Sequence, residues 1–152
     1  MPPYNQWNPI GVQEHIYPEW IWIKDPAAYI KEKDGLGVGG ITPLGTTVHL
    51  LQATPDTIIE ANLKSLKDGI NYEGIKKVAA VIAFNCVERL TILQTKKGKT
   101  EENFNKIMDL LGHPAIAGNA GAWGEQMFAP SGNIGMQNMT LSTLIISDEL
   151  VK

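Results

Sequence analysis

Two stretches hold residue types that could do chemistry. The first is Phe84-Asn85-Cys86-Val87-Glu88-Arg89, where a thiol, a carboxylate and a guanidinium stand close together. A thiol at a helix start beside an arginine can have a lowered pKa and act as a nucleophile. The blander alternative makes Cys86 a small buried filler and Arg89 a structural ion-pair partner. The filler reading is preferred for Cys86, because unbridged cysteine is among the most buried residue types. A Cys86 nucleophile would also need a base, and His15, His49 and His113 are scattered along the chain. No Cys/His pair falls at metal-ligand spacing, so neither a metal nor any other cofactor is expected.

The second stretch is Pro114–Glu125, in which Gly118, Gly121 and Gly124 surround Trp123 and a lone carboxylate, Glu125. Glycines let backbone approach a ligand closely. Glu125 could grip a cation such as an α-ammonium group, or pair with Arg89; the alternative is a tight structural turn. A third stretch, Gly35-Leu36-Gly37-Val38-Gly39-Gly40, matches a dinucleotide fingerprint only formally. That fingerprint needs a strand before it and a helix after it, whereas Pro43 and a strand follow here.

The elements that must position these residues are partly legible. Residues 1–19 read as an irregular arm, pinned by Trp7 and Tyr17. Trp20–Ile23 and Ala27–Lys31 read as short strands, 34–40 as a flexible turn or bulge, and Thr46–Gln52 as a strand. A helix opens with Thr54 as N-cap and Pro55 in its first turn. Ile59, Leu63, Leu66 and Ile70 form its apolar face, and Gly69 and Asn71 mark its exit. Lys77–Phe84 lacks alternation and reads as a central strand covered on both faces. A second helix starts at Thr100, carries Phe104, Ile107, Met108 and Leu111 on one face, and stops at Gly112. Pro114–Gly118 reads as a strand, 119–139 as a loop, and Thr140–Ser147 as a closing strand. These elements predict an α+β fold: a mixed, mostly antiparallel sheet with two principal helices packed on it.

Composition sets the broad class. The chain has 152 residues, 43% of them hydrophobic and 19% charged, which fits one globular domain over 1–152. The net charge of −3 argues against nucleic-acid binding, which draws its affinity from phosphate neutralisation. No apolar run nears the ~20 residues that span a bilayer, so no membrane partner is expected. One cysteine and an N-terminus without signal-peptide character point to a cytoplasmic protein.

Four segments in order are similar to the FIST C-terminal domain family, found in bacterial and archaeal signalling proteins. Ile41–Leu50 resembles its strand with a Gly-Thr turn, and Phe84–Arg89 its Phe-small-Cys-x-x-Arg element. Gly118–Glu125 resembles its Gly-rich element closing on Gly-Glu, and Asn138-Met139-Thr140-Leu141 its Asn-x-Thr element. The resemblance covers about residues 41–147, as a shortened, stand-alone relative. Asn85 stands where the family has a small Ser, Gln137 where it often has His, and Asn119-Ala120 where it has an aromatic pair.

The resemblance implies a small-ligand sensor in signal transduction, with amino acids or small carboxylates as ligands, and not an enzyme. It places the ligand site at Asn85, Cys86, Arg89, Gly118, Trp123, Gly124, Glu125 and Asn138. Arg89 would hold a ligand carboxylate, Glu125 an ammonium group and Asn138 orienting hydrogen bonds, while Cys86 shapes the wall. An output protein is the implied partner, and homodimerisation through an edge strand is an open alternative. The rival readings are an interaction domain that has lost its pocket and a Cys86-dependent enzyme.

Overall fold

The computed structural model describes residues 8–114, 116–122, 124–128 and 131–149. The chain runs β1 (Ile10–Gln13), β2 (Ile21–Lys24), β3 (Pro26–Ile30), β4 (Gly35–Val38), β5 (Val48–Leu50) and α1 (Pro55–Glu73). It continues with β6 (Val78–Cys86), α2 (Val87–Gln94), α3 (Lys99–Leu111), β7 (Ile116–Ala122), β8 (Glu125–Phe128), β9 (Ile134–Gln137) and β10 (Leu141–Ser147). The fold is α+β, as expected. Three helices stand where two principal ones were anticipated, and the strands form separate sheets.

The first sheet has the order β2-β1-β5, all antiparallel. This corrects the irregular arm: Ile10–Gln13 is its central strand. Pro9 and Gly11 hide it in the sequence, because only long-range pairing makes it a strand. Gly11 also meets a local need, since a Cβ there would lie 2.6 Å from Ile21 Cγ2. Trp7 lies outside the described residues, and Tyr17 is exposed, so Tyr17 pins nothing by burial. The aromatic contact in this region is Trp20 against Trp22, edge to face with centroids 6.1 Å apart.

The second sheet has the order β10-β6-β7 and is mixed: β10 runs antiparallel to β6, and β7 parallel to it. β6 is central, as its apolar run predicted, but among the described residues it is covered on one face only. Val81 and Asn85 point toward the helices and are buried, whereas Ile82 and Phe84 point away and are exposed. Leu144 and Ile146 of β10 are exposed beside them. The strand expected at Ala27–Lys31 is β3, and the 34–40 segment, expected as a turn, instead holds its hairpin partner β4; the 119–139 segment, expected as a loop, holds the hairpin β8–β9. Gly135 of β9 packs on the Trp22 ring, where a Cβ would sit 2.7 Å from Cζ3.

Helix α1 begins as the sequence predicts. Thr54 accepts a hydrogen bond from the Thr57 amide at 3.2 Å, and the Thr57 hydroxyl accepts one from the Thr54 amide at 2.9 Å, a reciprocal cap. It runs past the expected exit to Glu73 and closes on Gly74 in the left-handed region. Gly69 is interior, with Ile145 of β10 beside it. Ile58, Ile59, Ile92, Leu93 and Met139 form one buried cluster, and Leu66, Val78, Val81 and Leu111 another. Phe104, expected on the buried face of α3, is more than half exposed.

Lys99 ties the start of α3 to the start of α1. Its Nζ lies 2.5 Å from Asp56 Oδ1 and 2.6 Å from Glu102 Oε2. Lys106 first, and then Lys99, hold the Glu102 carboxyl down to about 2 from an ordinary 4.5. Lys99 likewise lowers Asp56. A depressed carboxyl stabilises the fold above its unfolded pKa and loses that contribution as pH falls toward its folded pKa. Melting temperature should therefore fall as pH drops from 4.5 toward about 2. Lys99→Met should flatten that acid limb, and an unchanged limb would refute the assignment.

Candidate functional site

The site is built around the junction of β6 and α2. Cys86 ends β6 and caps α2, and its amide donates to Thr140 O at 3.1 Å. Parallel pairing sets Asn85 and Cys86 beside Gly121 and Ala122 of β7. Gly121 packs closely on α2, where a Cβ would lie 3.1 Å from Val87 Cγ2. Gly118 pairs with Ile82 further back along β7. β8 then opens at Glu125, paired with Gln137, and Gly124 packs on Met136. The topology thus brings the two sequence segments to one end of the β6 sheet. Trp123 and the Glu125 side chain lie outside the described residues.

Arg89 sits one turn into α2 and is buried. Its Nη1 donates to Met139 O at 3.3 Å, and its Nη2 donates to Ile58 O at 3.4 Å and to Asn62 Oδ1. Asn62 is fully buried and passes the bond on, Nδ2 donating to Asn103 Oδ1 at 2.8 Å. These contacts bind α2 to α1, α3 and the turn before β10. They give Arg89 a positioning role in addition to any contact with a ligand. Asn138, expected to orient a ligand, is also occupied: its Oδ1 accepts from the Asp25 amide at 3.2 Å, and its amide donates to Ile23 O at 2.9 Å. Gly39 is the residue that admits it, since a Cβ there would stand 2.6 Å from Asn138 Oδ1.

Sequence reasoning missed Asn62 and Asn103. The signal was present in part: Asn62 falls between Ile59 and Leu66 at helical spacing, a polar residue inside an apolar stripe. Its partners lie on other helices and were not readable.

Cys86 is buried, and its Sγ approaches Glu88 Oε2 at 3.8 Å. His113 pairs with Asp109 at 3.0 Å, His49 lies on β5, and His15 is exposed after β1.

Asn85 is 2% exposed, and its Oδ1 has no hydrogen-bond partner among the described residues. It lines a cavity of about 470 Å³ on the helical side of β6. The described walls of that cavity come from α1, β6, α2, α3 and β10, with Asn103 also facing in. The 118–125 stretch, anticipated as the opposite wall, contributes no described residue to it.

The family model for the FIST C domain matches residues 1–127. The chain belongs to the FIST C domain family. That family consists of signal-transduction sensory domains and is not known for enzymatic activity. The match takes in the first 40 residues, where only Tyr17-Pro18 and Asp25-Pro26 loosely resemble the family's earlier strands, and stops short of Asn138. No curated protein and no solved structure matches the chain. No helix among the described residues is long and apolar enough to cross a membrane, and they hold no cluster of metal-ligating side chains.

Removing one partner of a buried charge network leaves the others desolvated and unmet. Arg89→Ala should therefore lower stability by about 3 kcal/mol in urea denaturation. A loss below about 0.5 kcal/mol, the range of ordinary surface changes, would refute the positioning role.

Proposed function

We propose that this FIST C domain is a cytoplasmic sensory module that binds a small ligand in the cavity at the end of β6. The observation that carries the reading is the Asn85 amide oxygen, buried at the cavity wall with no described partner. An unmet buried acceptor costs about 1–3 kcal/mol, which a ligand donor would recover. Most of the wall is apolar, with Leu66, Leu90, Leu93 and Met108 among its residues. The fitting ligand joins a hydrogen-bond donor to an apolar body. An apolar amino acid meets this with its ammonium group on Asn85 and its carboxylate toward the Thr100 and Thr143 hydroxyls. A small hydroxy-carboxylate meets it less fully. In this reading Arg89 acts through Asn62 and Asn103 and does not hold the carboxylate itself, and Cys86 stands outside the described wall of the cavity. The lone buried thiol agrees with a reducing compartment.

Leucine should raise the melting temperature by mass action, and Asn85→Leu, which removes the acceptor at similar volume, should abolish the rise. If no amino acid or small carboxylate shifts melting, or if Asn85→Leu responds like wild type, the reading fails.

A separate observation favours a second reading, an interaction module. Ile82, Phe84, Leu144 and Ile146 form an exposed apolar patch on the second sheet. Such patches mark protein contacts, and a second copy of this face, packed sheet on sheet, is the proposed occupant. Sedimentation should then give a dimer that Phe84→Lys dissociates. A wild-type monomer at all concentrations would reject it.

A further inference from the structure

A second cavity lies on the other sheet, and its chemistry differs. It measures about 790 Å³ and is bounded by β1, β2, the 40–46 loop and β9. Its wall includes Lys24, which is only 4% exposed. A buried ammonium normally stands against a carboxylate. Here the Nζ donates to Met136 O at 2.6 Å and lies 5.9 Å from the Trp22 ring centroid. No carboxylate among the described residues comes within ion-pair distance of it. The backbone leaves room at this point: Gly40 has a φ of +88°, and a Cβ there would sit 2.9 Å from Nζ.

The acid that shares the cavity, Glu14, is already engaged. Its Oε2 accepts from the Ile16 and Tyr17 amides at 3.0 and 2.7 Å, and its Oε1 from Asn133 Nδ2 at 2.8 Å. The cation is therefore left with one carbonyl and an aromatic face, while the anion is satisfied.

The rim supplies an independent observation. Ile41 and Leu44, on the 40–46 loop, are 85% and 105% exposed, and Ile134 is 66% exposed. These apolar side chains border the cavity and have nothing to cover them among the described residues. Cation within and apolar rim without describe an amphipathic anion in negative.

We propose that this cleft binds a small carboxylate with an apolar body, the carboxylate on Lys24 Nζ and the body between Trp22 and the Ile41–Leu44 loop. The site is distinct from the Asn85 cavity, which lies on the other sheet, and it does not depend on that cavity binding anything.

The test uses three probes of one chain length: octanoate, octanamide and octylamine, titrated into the full chain by calorimetry. Octanoate should bind at least about tenfold tighter than either of the others, as expected for a charge-assisted hydrogen bond. Lys24→Met should bring octanoate down to the octanamide level, while Asn85→Leu should leave it unchanged. Equal affinity for octanoate and octanamide in wild type would overturn the proposal without any variant, so a misfolded Lys24→Met cannot shelter it. Octanoate binding lost in Asn85→Leu but kept in Lys24→Met would overturn it too, by assigning the probe to the other cavity.

Discussion

The structure depends on burying one guanidinium. Taking Arg89 out of water costs several kcal/mol unless its donors are met. Its Nη donors are met by carbonyls of α1 and of the Met139 turn and by the Asn62 side-chain oxygen. Asn62 is itself fully buried, so it in turn requires Asn103. One charge on α2 thereby fixes where α1 and α3 stand. It also selects the backbone at Met139, whose φ of +53° is unusual for a residue with a side chain. The apolar clusters around it supply the bulk of burial, but they are non-directional. The hydrogen bonds of Arg89 choose among the packings those clusters would tolerate.

The Met139 turn carries that constraint to the first sheet. Gln137 Oε1 accepts from the Ile23 amide at 3.1 Å, and Asn138 accepts from the Asp25 amide. On the other side, Thr140 O accepts from the Cys86 amide. Gln137, Asn138, Met139 and Thr140 are all buried, three of them polar. Such a segment would be costly as a mere connection, since buried polar groups must find partners. It survives because the end of β2 presents unpaired backbone groups that match it. The residues that resemble a ligand-orienting motif thus join the two sheets.

What the sequence disclosed follows from which forces are local. Caps and helical stripes are local, so α1 and α3 were legible from Thr54-Pro55 and from Ile107 and Met108. The apolar run of β6 announced a central strand, yet an apolar residue signals only a preference for burial. Nothing in Ile82 or Phe84 says that its face stays open. β1, β4 and β8–β9 were obscured because the glycines in and around them read as turns, whereas some are there for close packing, on Trp22 at Gly135 and on Ile21 at Gly11. For the site, the charge of Arg89 was visible and its destination was not. The side chain that meets it lies 27 residues away, on another helix. Lys24 drew no attention, because a lysine closing a strand looks solvated until the fold buries it.

A sensor responds to a ligand only insofar as the ligand binds its states unequally. That condition singles out side chains that face a cavity and also hold the framework. Two of them lead to the junction between the sheets. Asn103 faces the β6 cavity, and its amide oxygen accepts from Asn62, which leads through Arg89 to Met139 O. Lys24 faces the larger cavity and donates to Met136 O. Both chains end in the same short segment, residues 136–139, which carries the junction between the sheets. A ligand that touched only the apolar walls of either cavity would add burial without biasing that segment. One that competed for Asn103 or Lys24 would draw on a bond the junction uses. Asn103 and Lys24, and not the larger apolar surface around them, are therefore where occupancy can become a change of structure.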